Sequence, residues 1–314
     1  FQAEDGIRDF CLSRGLGDVY KRQNKALIVG TGFGNLYKDI YEGMGWQVTT
    51  VDIADPNADF DKPEHVIGGG TGHGGHYFNT CHITTPNWTH LELAYLYAGH
   101  CDIMFIEKPG VFNQQQWVKL LGDHNDTRIM MTKNNQYRDN IVEMAQAADP
   151  KKGITRIRWV NNNRVPKPGS WFTNKDLAFG GVSRDLMPHL LSLYQMFEPN
   201  WRTTLPKWAK KEQRYVLSDF DNSDYGEVDP NGTYDVDDFA YIDFGDFQLC
   251  ADWASKEGDD IAVHTQTKSF ELGLCPESAY KEMIVTALFE HRNDEYWKLQ
   301  QEMDIWIHQI LSNL

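Results

Sequence analysis

Lys25-Ala26-Leu27-Ile28-Val29-Gly30-Thr31-Gly32-Phe33-Gly34-Asn35 decides how the rest of the chain is read. Lys25 to Val29 is a short apolar run, the pattern of a strand buried on both faces. It leads directly into a glycine-rich turn. Helical sequence follows from about Leu36 to Met44, then a second strand from Gln47 to Val51 that ends in Asp52. Strand, glycine turn, helix, strand and acid in this order form a unit that binds a dinucleotide. Gly30 allows the tight turn, and Gly32 lets backbone N–H groups approach a pyrophosphate at the helix start. Asp52 lies 20 positions after Gly32, where a carboxylate accepts from a ribose hydroxyl and repels a 2′-phosphate. NAD is therefore expected in preference to NADP. Gly34 comes one place before the third glycine of the G-x-G-x-x-G spacing, and Asn35 holds that place. A glycine turn with a structural role alone is the competing reading.

Size and composition limit what surrounds this unit. The chain has 314 residues, 41% of them hydrophobic, enough for two domains with a sizeable core. The net charge of -15 argues against nucleic acid and anionic membrane as partners. No apolar run approaches the roughly 20 residues of a membrane-spanning helix. Five cysteines form no CxxC pair, so a reducing cytoplasm is the default expectation. Residues 1–23 lack signal-peptide architecture and read as a translated sequencing adapter, a non-native leader whose charges cancel. Residues 24–133 are expected to form the nucleotide domain and 134–314 the substrate and oligomerisation domain.

Beyond Asp52 the chain is irregular. Asp55 to Asp61 reads as loop, and Gly68 to His76 is too glycine-rich for a helix. His73 and His76 have no carboxylate or cysteine at ligand spacing, so no metal is expected there. Tyr77 to Ile83 reads as the next strand. Thr84-Thr85-Pro86-Asn87-Trp88-Thr89-His90 is a turn opening a helix through Tyr97, and Gly99 ends it. Ile103 to Ile106 is another buried-strand run, stopped by Glu107-Lys108-Pro109-Gly110. Lysine at the carboxyl end of a strand stands where open α/β sheets hold their ligands. Alternating strands and helices imply a parallel, doubly wound sheet of the Rossmann type.

Thr85-Pro86-Asn87 with His90, followed by Glu107-Lys108-Pro109, resembles the glucose–fructose oxidoreductase, inositol dehydrogenase and rhizopine catabolism (Gfo/Idh/MocA) family. The resemblance implies that Thr84, Thr85, Pro86, Asn87 and His90 line the nicotinamide side of the cofactor. With Gly30, Gly32, Phe33, Gly34 and Asp52 they make up the expected NAD site. It places Glu107 and Lys108 where nicotinamide meets substrate. Arg128 to Lys133 reads as a further strand, and Gln136-Tyr137-Arg138 resembles the family's N-Y-R segment, with Tyr137 and Arg138 facing substrate.

In the second half, Thr155 to Val160 reads as a strand and Trp171 is placed beside the cleft, with core packing as its alternative. Asp185 and His189 are four apart, so on a helix they share one face. A carboxylate there can fix the imidazole tautomer and raise its basicity, the arrangement a hydroxyl-deprotonating base needs. The segment resembles the family's G-G-G-x-x-x-D-x-G-x-H signature, with Phe179 and Met187 at two glycine positions and Pro188 inside the turn. By that resemblance Lys108, Asp185 and His189 are the catalytic group and also touch substrate. The acids from Leu205 to Asp238 read as a solvated loop, because Asp224 stands where a calcium loop starting at Asp219 needs glycine. Phe239 to Leu249 reads as two strands around Gly245-Asp246, Ile261 to Leu272 as more strand, and Tyr280–Phe289 and Tyr296–Leu311 as helices. Sequential strands with short turns imply a mainly antiparallel open sheet in an α+β domain. The family uses that sheet's free face for subunit contact, which implies a homodimer or homotetramer.

The expected activity is NAD(H)-dependent hydride transfer at a secondary alcohol or ketone of a sugar, nucleotide sugar or cyclitol. His189 would accept the hydroxyl proton, Asp185 would orient it or bind a substrate hydroxyl, and Lys108 would stabilise alkoxide charge. The alternatives are an imine or carbonyl reductase resembling the thiazolinyl imine reductases and a non-catalytic NAD-binding regulator.

Overall fold

A computed structural model describes residues 24–68 and 77–314. The adapter-like leader and the His73–His76 pair lie outside the described residues. Strands β1 (Lys25–Val29), β2 (Gln47–Val51), β3 (Phe78–Ile83), β4 (Cys101–Ile106) and β5 (Arg128–Met131) form one sheet in the order β2-β1-β3-β4-β5, every pairing parallel. Their residues are almost wholly buried because helices cover both faces. These helices are α1 (Thr31–Gly43), α2 (Pro63–Gly68), α3 (His90–Tyr97), α4 (Gln114–Asp123) and α5 (Ile141–Ala147). The strand order reverses between β1 and β3, so a crevice opens where Val29 and Ile83 end.

Helix α1 begins at Thr31, well before the Leu36 that helix propensity suggests. Asp52 Oδ2 accepts from Thr31 N at 2.8 Å, and Gly30 N donates to Val51 O at 2.8 Å. These contacts satisfy the helix start and outweigh the cost of about 1 kcal/mol per helical glycine.

The second sheet contains β6 (Thr155–Asn162), β7 (Trp208–Glu212), β8 (Phe239–Asp243), β9 (Phe247–Ser255), β10 (Asp260–His264) and β11 (Ser269–Glu271). Its order is β11-β10-β6-β9-β8-β7, with β6–β9 parallel and the other pairs antiparallel. Helices α6 (Lys175–Ala178), α7 (Val182–Asp185), α8 (Met187–Phe197) and α9 (Asn222–Tyr225) accompany it. Tyr194 of α8 stacks on Phe244 with ring centres 4.2 Å apart, which seats the helix on the sheet. The acidic stretch before β8 is not wholly solvated: Asp237 accepts from Ser183 N at 2.7 Å and Asp238 pairs with Arg214. Both carboxylates are drawn inward by donors far away in sequence.

The last helices, α10 (Glu277–Phe289) and α11 (Asp294–Ser312), return to the first sheet. Tyr280 packs against Phe33 and Tyr37 of α1. Asp304 pairs with Lys133, both side chains fully buried, and accepts from Met131 N at 2.9 Å. His308 Nδ1 donates to Asp304 O at 2.7 Å while its Nε2 accepts from Val111 N at 3.2 Å. Among the described residues no helix is long and apolar enough to cross a membrane.

Two stability predictions follow from buried polar groups. Asp304→Ala strands the Lys133 ammonium in the interior and is expected to cost about 3–5 kcal/mol of unfolding free energy. Denaturant melts check this, and a loss below about 1 kcal/mol, the worth of a surface pair, contradicts it. Burial pushes His82 and His189 down to about 3 and His308 to about 4, and lowers His90 as well. In the unfolded chain these rings titrate near 6.5. Their contribution is complete above that value and is lost as pH falls towards the folded values. Stability is expected to decline below pH 6.5 by up to about 1.4 kcal/mol per pH unit per histidine. His82→Phe removes one share of that slope; an unchanged slope in melts across pH contradicts the assignment.

Candidate active site

The crevice at the ends of β1, β3 and β4 gathers most of the residues marked by the sequence. Gly30 has φ 93, a left-handed conformation, and a Cβ there would lie 3.0 Å from the Thr84 carbonyl. Thr84 closes the same turn by donating from Oγ1 to Gly30 O at 2.6 Å. Gly34 does the packing expected of a third glycine despite its early position. A Cβ on it would stand 2.6 Å from Ile28 Cγ2 and 2.7 Å from Thr84 Oγ1. Gly32 faces open space, with nothing within 4 Å of its Cβ position.

These features fit a dinucleotide. The first turn of α1 leaves N–H groups without intrahelical partners, and the open side of Gly32 gives a phosphate access to them. Asp52 stands beside this turn and also accepts from Thr31 Oγ1 at 3.0 Å and Ala54 N at 2.8 Å. Partial burial pushes its carboxyl up, but these donors hold it below the ordinary carboxylate value. Oδ1 keeps capacity to accept from a ribose hydroxyl. Phe33 is 46% exposed at the mouth of the crevice.

Lys108 and Asp185 form an ion pair across the two domains. Trp253 Nε1 donates to the other Asp185 oxygen at 3.1 Å. Burial pushes the Asp185 carboxyl up, and the Lys108 ammonium with these donors brings it below its ordinary value. The Lys108 ammonium lowers the His189 imidazole and the Asp185 carboxylate raises it, both after burial, which lowers it most. Asp185 spends its oxygens on Lys108 and Trp253 and does not hydrogen-bond His189. Pro188 has no N–H, so α7 stops at Asp185 and α8 starts afresh at Met187. Of the two roles expected for Asp185, orienting His189 is corrected, because its oxygens are taken by Lys108 and Trp253. Met187 is wholly buried, which removes its side chain from the cleft. Phe179 keeps φ 67, the left-handed backbone that glycine would adopt at this place.

The remaining marked residues divide by where their polar atoms go. Thr85 Oγ1 meets Thr89 Oγ1 at 2.6 Å, and Pro86 O accepts from Thr89 N at 3.0 Å, so both shape the turn before α3. Asn87 Nδ2 donates to Ala178 O at 2.8 Å and ties that turn to the second domain. His90 is fully buried, its ring nitrogens 2.8 Å from Gly110 O and Thr85 O. It sits between two loops of the crevice, the neutral ring donating to one of the two carbonyls, and with no exposed surface it does not line the crevice. Glu107 accepts from the Tyr37 hydroxyl at 2.5 Å, and burial raises its carboxyl above the ordinary value. Tyr137, expected to face substrate, instead places its hydroxyl 3.1 Å from that of Tyr296 in α11. Arg138 is also turned away: Nη1 and Nη2 donate to Leu272 O and Gly273 O at 2.6 and 3.2 Å. Trp171 meets Trp88 edge-on at 5.4 Å and Phe172 at 4.2 Å, at the rim between the domains.

Sequence reading passed over Asn135, Trp159 and Trp253. Asn135 Nδ2 lies 3.1 Å from His189 Nδ1, and Trp159 stacks on the His189 ring with centres 5.5 Å apart. Trp253 carried a signal, since the two-residue period of a strand puts it on the same sheet face as Leu249 and Ala251.

The two-domain fold is that of the Gfo/Idh/MocA-type oxidoreductases. Among solved structures, GenD2 from gentamicin A biosynthesis in complex with NAD superposes with TM-score 0.68 at 16% identity, over 95% of each chain. Levoglucosan dehydrogenase in complex with NADH and levoglucosan gives 0.64 at 15% identity, over 93% of this chain and 98% of that one. A myo-inositol dehydrogenase from Corynebacterium glutamicum gives 0.63 at 13% identity, over 92% of this chain and 95% of that one. A stretch of 113 residues, 35% of the chain, is 27% identical to a UDP-kanosamine synthase oxidoreductase subunit named as putative in Amycolatopsis mediterranei. That stretch spans 31% of the relative's length. No family model matches the chain.

Gly34→Ala is expected to cost about 1–3 kcal/mol by overpacking the α1–β1 contact and to weaken nucleotide binding with it. Thermal melts and a nucleotide titration check this; a variant equal to wild type in both contradicts the packing role.

Proposed function

We propose that this chain is an NAD(H)-dependent oxidoreductase acting on a secondary alcohol or the matching ketone of a sugar, nucleotide sugar or cyclitol. One observation carries the reading. An ammonium from the nucleotide domain meets a carboxylate from the second domain, with an imidazole nearby, at the crevice beside the glycine turn. A nicotinamide nucleotide, when bound, supplies the hydride acceptor or donor. The first turn of α1 and Asp52 hold it. Lys108 hydrogen-bonds the substrate oxygen and stabilises negative charge that develops there. Asp185 holds Lys108 in place, and His189 approaches the same oxygen. The relatives named for a UDP-sugar, levoglucosan and myo-inositol support a polyhydroxylated substrate. A cytoplasmic homo-oligomer joined through the free face of the second sheet belongs to the same reading.

The test is absorbance at the reduced-nicotinamide band while polyols, ketoses and nucleotide sugars are screened. Turnover with one of these classes is expected, and Lys108→Ala is expected to lower its kcat about 10²–10⁴-fold. A variant as fast as wild type contradicts the role of Lys108. Equal affinity of the wild type for NAD and NADP contradicts the role of Asp52.

A further inference from the structure

His189 is held by a chain of donors that starts at a guanidinium. Arg138 is 7% exposed and all its hydrogen bonds are donated, since arginine has no acceptor. Its Nη groups are fixed on Leu272 O and Gly273 O, and its Nε donates to Asn135 Oδ1 at 2.8 Å. That contact settles which way the fully buried Asn135 amide points, because a flipped amide would set N–H against N–H. Asn135 Nδ2 then faces His189 Nδ1 at 3.1 Å with a donor. Nδ1 must therefore keep its lone pair. Trp159, stacked at an interplanar angle of 27°, fixes the ring plane. Among the described residues no hydrogen bond engages His189 Nε2, and the residue is only half-buried.

We propose that Arg138 and Asn135 are positioning residues that lock neutral His189 in the tautomer with its proton on Nε2, so that His189 donates a hydrogen bond to the substrate oxygen and does not accept its proton. The catalytic part rests on the oxidoreductase reading; the tautomer does not. An imidazolium would need a second N–H at Nδ1, pointed at the Asn135 donor. The charged groups facing the ring are Lys108, Asp185 and Arg138. Burial comes first in keeping the ring neutral, the two cations reinforce it, and Asp185 alone opposes it. Loss of the Nε2 proton would leave an imidazolate, which is out of reach near neutral pH. Lys108 is then the group left to carry the proton. In the reducing direction the carbonyl carbon gains hydride from the reduced nucleotide and the C=O π pair moves to oxygen. The oxygen takes a proton from the Lys108 ammonium, and the neutral amine recovers one from water. Oxidation runs these bonds in reverse.

The experiment is two-bond ¹H–¹⁵N spectroscopy of the full chain labelled at histidine, with the His189 signals identified by their loss in His189→Asn. Wild type is expected to show a bare Nδ1 and a protonated Nε2 across the neutral range. Asn135→Asp replaces the donor by an acceptor that Arg138 can still hold. It is expected to move the ring proton to Nδ1, free the Nε2 lone pair, and add a histidine titration to the pH profile of alcohol oxidation that wild type lacks. A protonated Nδ1 in wild type, or a ring proton that stays on Nε2 in Asn135→Asp, overturns the proposal. If that variant does not fold, the wild-type spectrum decides alone. An Nε2–H tautomer in a chain that binds no NADH supports the lock and overturns the oxidoreductase reading instead.

Discussion

The Lys108–Asp185 ion pair is the contact on which the site depends, because its halves come from different domains. Lys108 is delivered by the end of β4, Asp185 by the last residue of α7. Neither charge is fully hydrated, so each needs the other to offset its desolvation. Trp253 completes the carboxylate's partners from the second sheet. The pair exists only while the domains stay docked. Helix α11 adds to that docking through the Lys133–Asp304 pair, the His308 bridge to Val111, and the Trp117 ring stacked 4.7 Å from His308.

The nucleotide half was legible because its signals are local. Apolar runs bounded by Gly30, Pro86 and Pro109 mark strands and turns without knowledge of their partners, and the Asp52 spacing follows from one βαβ unit. The start of α1 was misread because its stabiliser, Asp52, lies 21 residues from Thr31. Asp185 and His189 were read as a pair on one helix face, but a helix spacing says nothing where Pro188 divides the helix. Tyr137 and Arg138 were read from a short pattern alone. Their real partners, Tyr296 and the Leu272–Gly273 carbonyls, lie in segments that no local pattern connects to them. Asn135 escaped for the same reason: a buried amide declares its role only when both neighbours are known.

Several polar groups near the crevice serve geometry before chemistry. His90 joins the turn before α3 to Gly110, Glu107 anchors Tyr37 of α1, and Asn87 reaches Ala178 in the second domain. Together they fix the loops around Lys108. Under the proposed function, preorganisation of this kind would let the Lys108 ammonium and the His189 imidazole meet developing charge without rearrangement. Aromatic pairs, Trp88 with Trp171 and Phe112 with Phe179, join apolar surface of the two domains.

The central claim is that a nicotinamide ring and these two charged side chains share one crevice. A crystal structure of the chain with NADH tests it most directly. The account predicts the pyrophosphate over the first turn of α1 at Gly32 and the nicotinamide ring beside Lys108, with the Asp185 contact intact. A nucleotide bound away from that turn, or a ring directed away from Lys108, would contradict it.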